Sequence, residues 1–382
     1  MKIALLTTDN REHDRDYVAP DPRFGTAPEA LLQGFARMPE VEVHVVSCVQ
    51  KPVKSPPQIA PNIFYHSLLV PKIGWLRTGY QGCLRAVRKK LREIRPGIVH
   101  GQGTERDCAL SAVFSGFPNV VTIHGNMTEL ARLFGARMGS YNWLASKLED
   151  YALARTAGVF CNSAYTEELV RPRAKTTWRV FNALRDKFFA PVSDTTRPAT
   201  LLNVGVIARR KRQVELLQVA EALRRKGLKF EFHFIGRVNS SDPYGAEFLE
   251  RIKPLEAAGC ARHLGVLSTE ELIRCFDSVG GMIHFPSEEA FGLVVAEGMA
   301  RRLKFFGARV GGISDIANGV AGAELFASED WAGLETAVAH WIELGHPLLP
   351  QAAADLMAAR FHPEVIARRH LEIYREVLSK QT

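Results

Sequence analysis

The chain has few of the features that mark secreted, membrane-spanning or metal-clustered proteins. It contains only 6 cysteines in 382 residues, and no two stand at C-x-x-C spacing, which argues against a disulfide framework and a zinc cluster. No apolar run approaches the roughly 20 residues that cross a bilayer. The opening sequence, MKIALLTT, lacks the pattern of a signal peptide. We therefore expect a cytoplasmic protein.

Further absences limit the chemistry. The first predicted strand is followed by TTDNREHD rather than by G-x-G-x-x-G, which argues against a nicotinamide oxidoreductase. No acidic D-x-D cluster stands near a strand end, so we expect no metal ion and no other cofactor. No recognised nucleic-acid-binding module is present. The net charge of +8 suits phosphorylated small molecules or an anionic membrane surface.

Short apolar segments alternate with amphipathic helical segments along the chain. This alternation predicts βαβ units and parallel sheets covered on both faces. Residues 190–199, APVSDTTRPA, have no periodicity and are typical of a linker. We predict Rossmann-like doubly wound domains over residues 1–190 and 198–363, with a ligand in the cleft between them. The helical pattern of 364–382 could close either domain, and we expect it to join the first.

Ten strands are predicted from this pattern. They begin near Lys2, Val41, Ile98, Val120 and Val159 in the first domain, and near Leu201, Phe230, Arg262, Gly281 and Lys304 in the second.

A basic helix is predicted between Tyr80 and Ile94. Apolar residues recur there every three or four positions, and arginine and lysine fill the other side. A basic amphipathic helix can lie on an anionic membrane, but a solvated helix face explains the pattern equally well. Peripheral contact with the inner face of the membrane is therefore one of two interpretations.

The segment 285–302, FPSEEAFGLVVAEGMARR, has the highest density of functional residue types. A helix is predicted to begin near Phe291. If it included both Glu289 and Glu297, the two side chains would lie about 80° apart around the axis and roughly 12 Å apart along it. They could not act on one atom as an acid–base pair, but they could contact opposite ends of an elongated ligand.

The start of this helix is a candidate phosphate site. The free N–H groups at Gly292 and Leu293 would face an anion, which helix N-termini favour. A phosphate with a hydroxyl-bearing group on each side describes a nucleotide sugar. The competing interpretation is that Glu289 interacts only with the helix dipole and that Glu297 is solvated.

A second candidate site is a run of four cations after the first strand of the second domain. Positive charge at the start of a helix opposes the helix dipole, so the run should have a compensating anion. A diphosphate leaving group would supply one. A solvated basic helix start is the alternative interpretation. The four residues are Arg209, Arg210, Lys211 and Arg212.

From Glu289 to Ala300 the sequence resembles the motif E-x-F-G-x-x-x-x-E-A-M-A of the retaining GT-B glycosyltransferases of family 4, with Gly298 in place of an alanine. Other segments resemble the family in the same order along the chain. They are IVHGQG from Ile98, VVTIHG from Val120, FCNSAYTEEL from Phe160, RVFNALRDKFF from Arg179 and GGISD from Gly311.

The resemblance implies a GT-B fold, in which two Rossmann-like domains face a central cleft. It also implies a metal-independent hexosyl transfer, with retention of anomeric configuration, in the synthesis of a glycan, glycolipid or polysaccharide. The implied donor is a UDP-, GDP- or ADP-sugar, and the implied acceptor is a sugar or a lipid-linked sugar.

The resemblance also implies roles for single residues. Glu289 would hold hydroxyls of the donor sugar, and Glu297 would hold the nucleotide ribose, with Phe291 in the same donor motif. His124 would contact the donor sugar near the reacting carbon. The backbone at Gly25 would approach the diphosphate.

One basic position departs from the family pattern. The family usually shows G-R-x-x-x-x-K in this part of the chain. Lys211 matches the lysine, but Val206 stands where the arginine is expected. Arg209 or Arg210 is the expected substitute.

Two alternatives share this fold. A GT-B-fold epimerase of nucleotide sugars would use the same nucleotide site, but it would need acid–base groups placed at the sugar. A catalytically silent homologue would bind the donor without turning it over.

Overall fold

The computed structural model describes residues 1–192 and 195–380. The chain forms two compact units. The first contains residues 1–186 and the segment from Arg360 onward, and the second contains residues 187–359. The predicted domain ends at 190 and 363 lie within four residues of these boundaries.

The first unit is a layered α/β domain. Its strands are β1 (Lys2–Leu6), β2 (Glu42–Val49), β3 (Gln58–Ala60), β4 (Ile63–Leu69), β5 (Ile98–Gln102), β6 (Asn119–Ile123), β7 (Val159–Cys161) and β8 (Thr177–Arg179). Its helices up to residue 186 are α1 (Asn10–Asp14), α2 (Thr26–Ala36), α3 (Gln81–Ile94), α4 (Cys108–Val113), α5 (Met127–Leu133), α6 (Tyr141–Leu153) and α7 (Ala164–Val170).

These strands form one sheet in the order β3-β4-β2-β1-β5-β6-β7-β8. All neighbouring pairs are parallel except β3 with β4. Strand β1 has the burial expected in such a sheet. Its residues Ile3 to Leu6 are at most 1% exposed, as in a parallel strand that helices cover on both faces. The loops that follow the parallel strands therefore share one edge of the sheet, which we call the carboxyl edge.

The second unit repeats this architecture. Its strands are β9 (Thr200–Val204), β10 (Glu231–Ile235), β11 (Ala261–Gly265), β12 (Gly281–His284), β13 (Lys304–Ala308) and β14 (Glu324–Phe326). They form a parallel sheet in the order β11-β10-β9-β12-β13-β14. The helices are α8 (Gln213–Arg225), α9 (Pro243–Ala257), α10 (Thr269–Ser278), α11 (Leu293–Ala300), α12 (Gly311–Ala317), α13 (Trp331–Glu343) and α14 (Gln351–Phe361), the last of which crosses the unit boundary.

The last helix, α15 (Pro363–Ser379), belongs to the first unit. It packs against α2, and Gly34 makes the close approach possible. A Cβ at Gly34 would lie 2.6 Å from the carbonyl carbon of Pro363 and 2.8 Å from the Cβ of Ala367. Residues 381–382 of the predicted segment 364–382 lie outside the described residues.

Helix α15 also completes an aromatic cluster at the centre of the first unit. His370 stacks on Phe160, with ring centroids 4.7 Å apart. The Tyr374 hydroxyl lies 2.5 Å from Nδ1 of His100, and Nε2 of His100 lies 2.7 Å from Oγ1 of Thr122. Burial lowers the pKa of His100 well below its usual range and lowers the pKa of His370 to about 4. Both histidines are therefore neutral at pH 7.

The predicted pair of parallel-sheet α/β domains is confirmed. All ten predicted strands are present. The sequence interpretation missed β3, β4, β8 and β14, which are short or carry mixed polar and apolar residues. The predicted linker 190–199 is part of the second unit, apart from residues 193–194, which lie outside the described residues. Arg197, for example, is 4% exposed and donates to the carbonyl of Phe276.

Helix α3 begins at Gln81, one residue later than predicted. Its apolar residues Leu84, Val87, Leu91 and Ile94 are at most 8% exposed, so the apolar stripe packs inside its own unit and is not available to a bilayer. This burial agrees with a solvated basic face, and contact of that face with a membrane stays a prediction. In the two described ranges, no helix is both long and apolar enough to cross a membrane.

Buried neutral histidines make stability depend on pH. A folded-state pKa below the unfolded value of about 6.5 means that the unfolded chain binds more protons between pH 6.5 and 4, so acid favours unfolding in that window. The pKa of His370 is lowered to about 4. This group alone therefore reduces the free energy of unfolding by about 3 kcal/mol as the pH falls from 6.5 to 4. We expect His370→Gln to flatten the profile of unfolding free energy between pH 6.5 and 4.

The matched control is His340→Gln, because His340 is exposed. Chemical denaturation at a series of pH values measures both variants. Equal flattening by the two substitutions would contradict a role for buried histidine.

Candidate functional site

The strongest candidate site lies at the carboxyl edge of the second sheet, in the loop between β12 and α11. The chain leaves the sheet after His284, and Gly292 takes a φ of +93° before the helix begins at Leu293. The prediction of a helix from Phe291 is wrong by two residues. Glu289 therefore lies in the loop, and the 80° separation from Glu297 does not apply.

Glu289 is held by two other side chains of the same unit. It forms an ion pair with Lys211, and its Oε2 lies 3.1 Å from Nε2 of His284. Only 13% of the Glu289 side chain and 12% of the Lys211 side chain are exposed. The structure thus brings together two residues that are 78 positions apart and that the sequence pointed to separately.

This arrangement keeps Glu289 ionised. Burial on its own would raise the pKa of the carboxyl group, but the hydrogen bond from His284 and the charge of Lys211 outweigh it and hold the pKa well below its usual range. Burial and the Lys211 charge lower the pKa of His284. A neutral His284 must donate its Nε2–H, since a carboxylate only accepts.

Two glycines hold the Glu289 loop from the other side. The N–H of Gly312 donates to the Glu289 carbonyl over 3.1 Å. A Cβ at Gly311, where φ is +49°, would overlap that carbonyl oxygen, and a Cβ at Gly312 would lie 2.5 Å from the Cα of Phe291. The G-G-I-S-D segment therefore supports the site by close packing.

The basic run lies beside this loop. Arg209–Lys211 form a 3₁₀ turn, and Arg212 ends it in the left-handed region at φ 58°. The N–H of Ser287 donates to the Arg210 carbonyl over 2.8 Å, which ties the turn to the Glu289 loop.

The predicted need for a compensating anion is met within the protein for two of the four cations. Lys211 pairs with Glu289, and Arg212 pairs with Glu329. The Arg209 guanidinium lies 5.5 Å from the centroid of the Tyr244 ring. Arg210 is exposed, and its charge helps to lower the pKa of His284 after burial and Lys211.

Val206, which stands in the place of the motif arginine, is 59% exposed. The charge of Arg210, four positions further along, acts on His284.

The other donor-motif residues lie on or next to α11. Glu297 is 4% exposed and Phe291 is 3% exposed, so the interpretation of Glu297 as a solvated residue is wrong. Gly292 is the N-cap of α11 and Leu293 is its first residue, and no side chain of the N-cap residue accepts from the first N–H groups of the helix.

Two predicted site residues belong to the first unit. His124 directly follows β6, and its Nε2 lies 2.9 Å from Oε1 of Gln102. Burial lowers the pKa of His124 to about 4, so the ring is neutral. With Nε2–H donated to Gln102, Nδ1 remains available as an acceptor.

Gly25 is the N-cap of α2. A Cβ there would meet only Cδ of Pro28, at an ordinary 3.7 Å, and φ is −60°. The protein itself therefore does not require glycine at this position.

Sequence reasoning missed His284 and Gln102. Gln102 lies within the IVHGQG segment, and His284 directly precedes the segment that begins at Phe285. Each stands at the end of a predicted strand, and a polar side chain at that position is the signal that could have identified them. It also missed that Cys48, Cys83 and Asp107 meet in the core of the first unit, with ligand atoms within 4.8 Å of one another. Contact with Cys83 and burial raise the pKa of Cys48 well above its usual range, and burial raises the pKa of Asp107.

Comparison with known proteins follows the two-unit division. Residues 29–180 match the family described as Glycosyltransferase Family 4, and residues 185–354 match the family described as Glycosyl transferases group 1. No curated protein sequence matches the chain significantly.

Solved structures share the fold at low identity. Sucrose-phosphate synthase from Thermosynechococcus elongatus is 17% identical, with a TM-score of 0.76 and 100% of both chains covered. HepE from Anabaena, solved in complex with UDP and glucose, is 14% identical, with a TM-score of 0.71 over 98% of this chain and 100% of that one. The lipopolysaccharide outer core galactosyltransferase WaaB is 14% identical, with a TM-score of 0.69 over the same shares.

The architecture of two parallel-sheet α/β domains and these structural neighbours define the GT-B fold. The two family matches together span most of the sequence, and with this fold they support a GT-B glycosyltransferase.

The packing at Gly312 gives a testable contrast. Gly312→Ala should destabilise the second unit by about 1–3 kcal/mol, because the new Cβ meets backbone that cannot move freely. Gly25→Ala should change stability by less than about 0.5 kcal/mol, since its Cβ has room. Thermal and chemical denaturation measure both. Equal destabilisation by the two variants would contradict the close packing at Gly312.

Proposed function

We propose that the protein transfers a hexosyl group from a nucleoside diphosphate sugar to a hydroxyl acceptor, with retention of configuration and without a metal ion. The observation that carries the proposal is the ionised Glu289 carboxylate, held by Lys211 and His284 next to the start of α11. A fixed carboxylate beside a cation and free helix N–H groups suits a ligand with hydroxyls on one side of a phosphate.

Glu289 acts as a hydrogen-bond acceptor for hydroxyls of the donor sugar. Its low pKa leaves it without a proton to donate at neutral pH, which speaks against the role of general acid that a GT-B-fold epimerase would ask of it. His284 is a positioning residue, because its donated Nε2–H fixes the orientation of the carboxylate.

Lys211 and Arg210 stabilise the departing diphosphate. Charge on the leaving group grows as the glycosidic bond breaks, and preorganised cations lower the energy of that state. Arg210 serves in place of the motif arginine that is absent at Val206, since its charge acts on His284, which holds Glu289. The uncapped N–H groups at Gly292 and Leu293 add donors to the same diphosphate, and the buried Glu297 holds the ribose.

His124 contributes from the first unit. Its neutral ring has Nδ1 free to accept a hydrogen bond from a sugar hydroxyl near the reacting carbon, because Nε2–H is donated to Gln102. The backbone at Gly25 allows close approach of the diphosphate, which agrees with the lack of any internal need for glycine there.

The acceptor hydroxyl attacks on the face from which the diphosphate departs, and the departing phosphate oxygen takes its proton. This route needs no carboxylate as a covalent nucleophile. The only D-x-D sequence, Asp14-Arg15-Asp16, follows β1 by several residues, and Asp16 pairs with Arg23, so the reaction is proposed to proceed without a bound metal ion.

UDP-sugars are the first donors to test, because HepE was solved with UDP and glucose; GDP- and ADP-sugars complete the set. The acceptor is a sugar or lipid-linked sugar, and the cytoplasm is the proposed compartment. All six cysteines are free thiols, which agrees with reducing conditions.

A donor panel tests the site. We expect one class of UDP-, GDP- or ADP-sugar to raise the melting temperature, because a ligand that binds only the folded state stabilises it, and to be hydrolysed slowly without acceptor. Glu289→Gln should reduce this hydrolysis by about 100-fold or more, the usual effect of removing one preorganised electrostatic group.

Glu343→Gln is the matched control, since Glu343 is an exposed acid of the same unit. If no nucleotide sugar binds, the donor site is wrongly assigned. If a donor binds but is never turned over, the protein is a silent homologue. A donor sugar released with inverted ring stereochemistry at another carbon would identify an epimerase.

The stereochemical course is tested with the donor so identified. Proton NMR of the first-formed product should show the anomeric configuration of the donor, and excess EDTA should leave the initial rate unchanged. An inverted product, a rate abolished by EDTA and restored by a divalent cation, or a trapped glycosyl-enzyme would each overturn the corresponding part of the mechanism.

A further inference from the structure

The carboxyl edge of the first sheet carries a polar cavity. It has a volume of about 510 Å³, within the range of small-molecule sites. Four cationic side chains line it, and the donor-site assignment uses none of them. They are Arg15, Lys51, Lys72 and Arg106.

These cations come from four different loops. Arg15 follows β1 and α1, Lys51 follows β2, Lys72 follows β4, and Arg106 follows β5. The four strands are direct neighbours in the order β4-β2-β1-β5 and are mutually parallel. The cavity therefore spans the end of the sheet at the place where open α/β sheets bind ligands.

The four charges have no anionic partner within the described residues, where none of them forms an ion pair. Other arginines of the same loop are paired: Arg11 with Asp9 and Arg23 with Asp16. The cavity cations thus differ from Arg11 and Arg23, which have a carboxylate partner. Like charges around one cavity repel one another when no counter-ion is present, so the cavity favours binding of an anion from outside the protein.

The single acid of the cavity, Glu12, is already engaged. It is 7% exposed, and its Oε2 accepts from the N–H of Gln50 over 2.7 Å and from the Tyr17 hydroxyl over 3.1 Å. Burial and the nearby Glu12 raise the pKa of Tyr17, so the hydroxyl keeps its proton and remains a donor. Glu12 thus fixes the loop after β1 to the end of β2, with the Lys51 ammonium 5.4 Å from the Tyr17 ring centroid.

We propose that this cavity binds a phosphate or diphosphate group of the acceptor, so that the enzyme glycosylates a phosphorylated substrate. The proposal rests on the proposed transferase function. Four cations and one carboxylate leave a net charge of +3 on the lining, which one sugar carboxylate compensates poorly. A phosphate group brings about −1.5 to −2, and arginine forks bind its oxygens in bidentate fashion.

The position of the cavity agrees with an acceptor site. His124 follows β6, the strand next to β5, so the cavity and the proposed sugar-contacting histidine lie along the same edge of one sheet. An acceptor anchored by its phosphate over β4 to β5 would extend its hydroxyl along that edge.

Binding of inorganic pyrophosphate tests the cavity directly. The full-length wild type is compared by calorimetry with Lys51→Gln/Lys72→Gln and with the control Arg88→Gln/Lys89→Gln, whose residues are exposed on α3 outside the cavity. Both double variants lose two charges and keep the donor site, so non-specific attraction and pyrophosphate at the donor site cancel in the comparison. We expect at least tenfold weaker binding in the cavity variant alone; equal affinities in the two variants would overturn the proposal.

Two further arms identify the source of the phosphate. If the phosphate belongs to a soluble sugar, glucose 1-phosphate should bind to the wild type and the control but weakly to the cavity variant. If it belongs to a lipid, vesicles containing phosphatidic acid should show this difference instead. No difference with either ligand would contradict a phosphorylated acceptor.

The two proposals fail separately. Loss of donor hydrolysis in Glu289→Gln reports on the donor site, whereas pyrophosphate affinity in the cavity variant reports on the acceptor cavity, and neither readout requires the other.

Discussion

Parallel strands impose the constraint on which the rest of this structure depends, because all of them leave the sheet at the same edge. Each helix carries the chain back across the sheet, so loops from distant parts of the sequence collect at the carboxyl edge. In the second unit this brings Lys211, after β9, onto Glu289, after β12. In the first it collects four cations and His124. The buried apolar strands need none of these residues, which leaves the loops free to carry the chemistry.

Polar loops at such an edge need support of their own, since a half-buried charge is unfavourable unless it is paired. Glu289 receives this support from a cation, a neutral imidazole and the backbone of Gly312. The same contacts that make the carboxylate tolerable also determine its protonation state. Electrostatics and packing are therefore not separate features of this site, because the side chains that position Glu289 also keep it ionised.

The strands could be predicted because they are covered on both faces and read as apolar runs, as in β1 and β9. Strand β4, which mixes His66 and Ser67 with apolar residues, has no such signal. Resemblance located Glu289 and Lys211, but the contact between Glu289 and His284 depends on the path of a loop that Gly292 redirects. The cationic cavity of the first unit has no single sequence motif, because its cations lie between positions 15 and 106 and no local pattern joins them.

The return of α15 to the first unit has a consequence for synthesis on the ribosome. The aromatic face built around Phe160 and His100 is finished only when His370 and Tyr374 arrive. At about 5–20 residues per second, the 173 residues from 187 to 359, which separate the two parts of this unit, take about 9–35 s to make. During that time the second unit can fold while the first still exposes apolar surface, so the domain that begins the chain is the last to be completed.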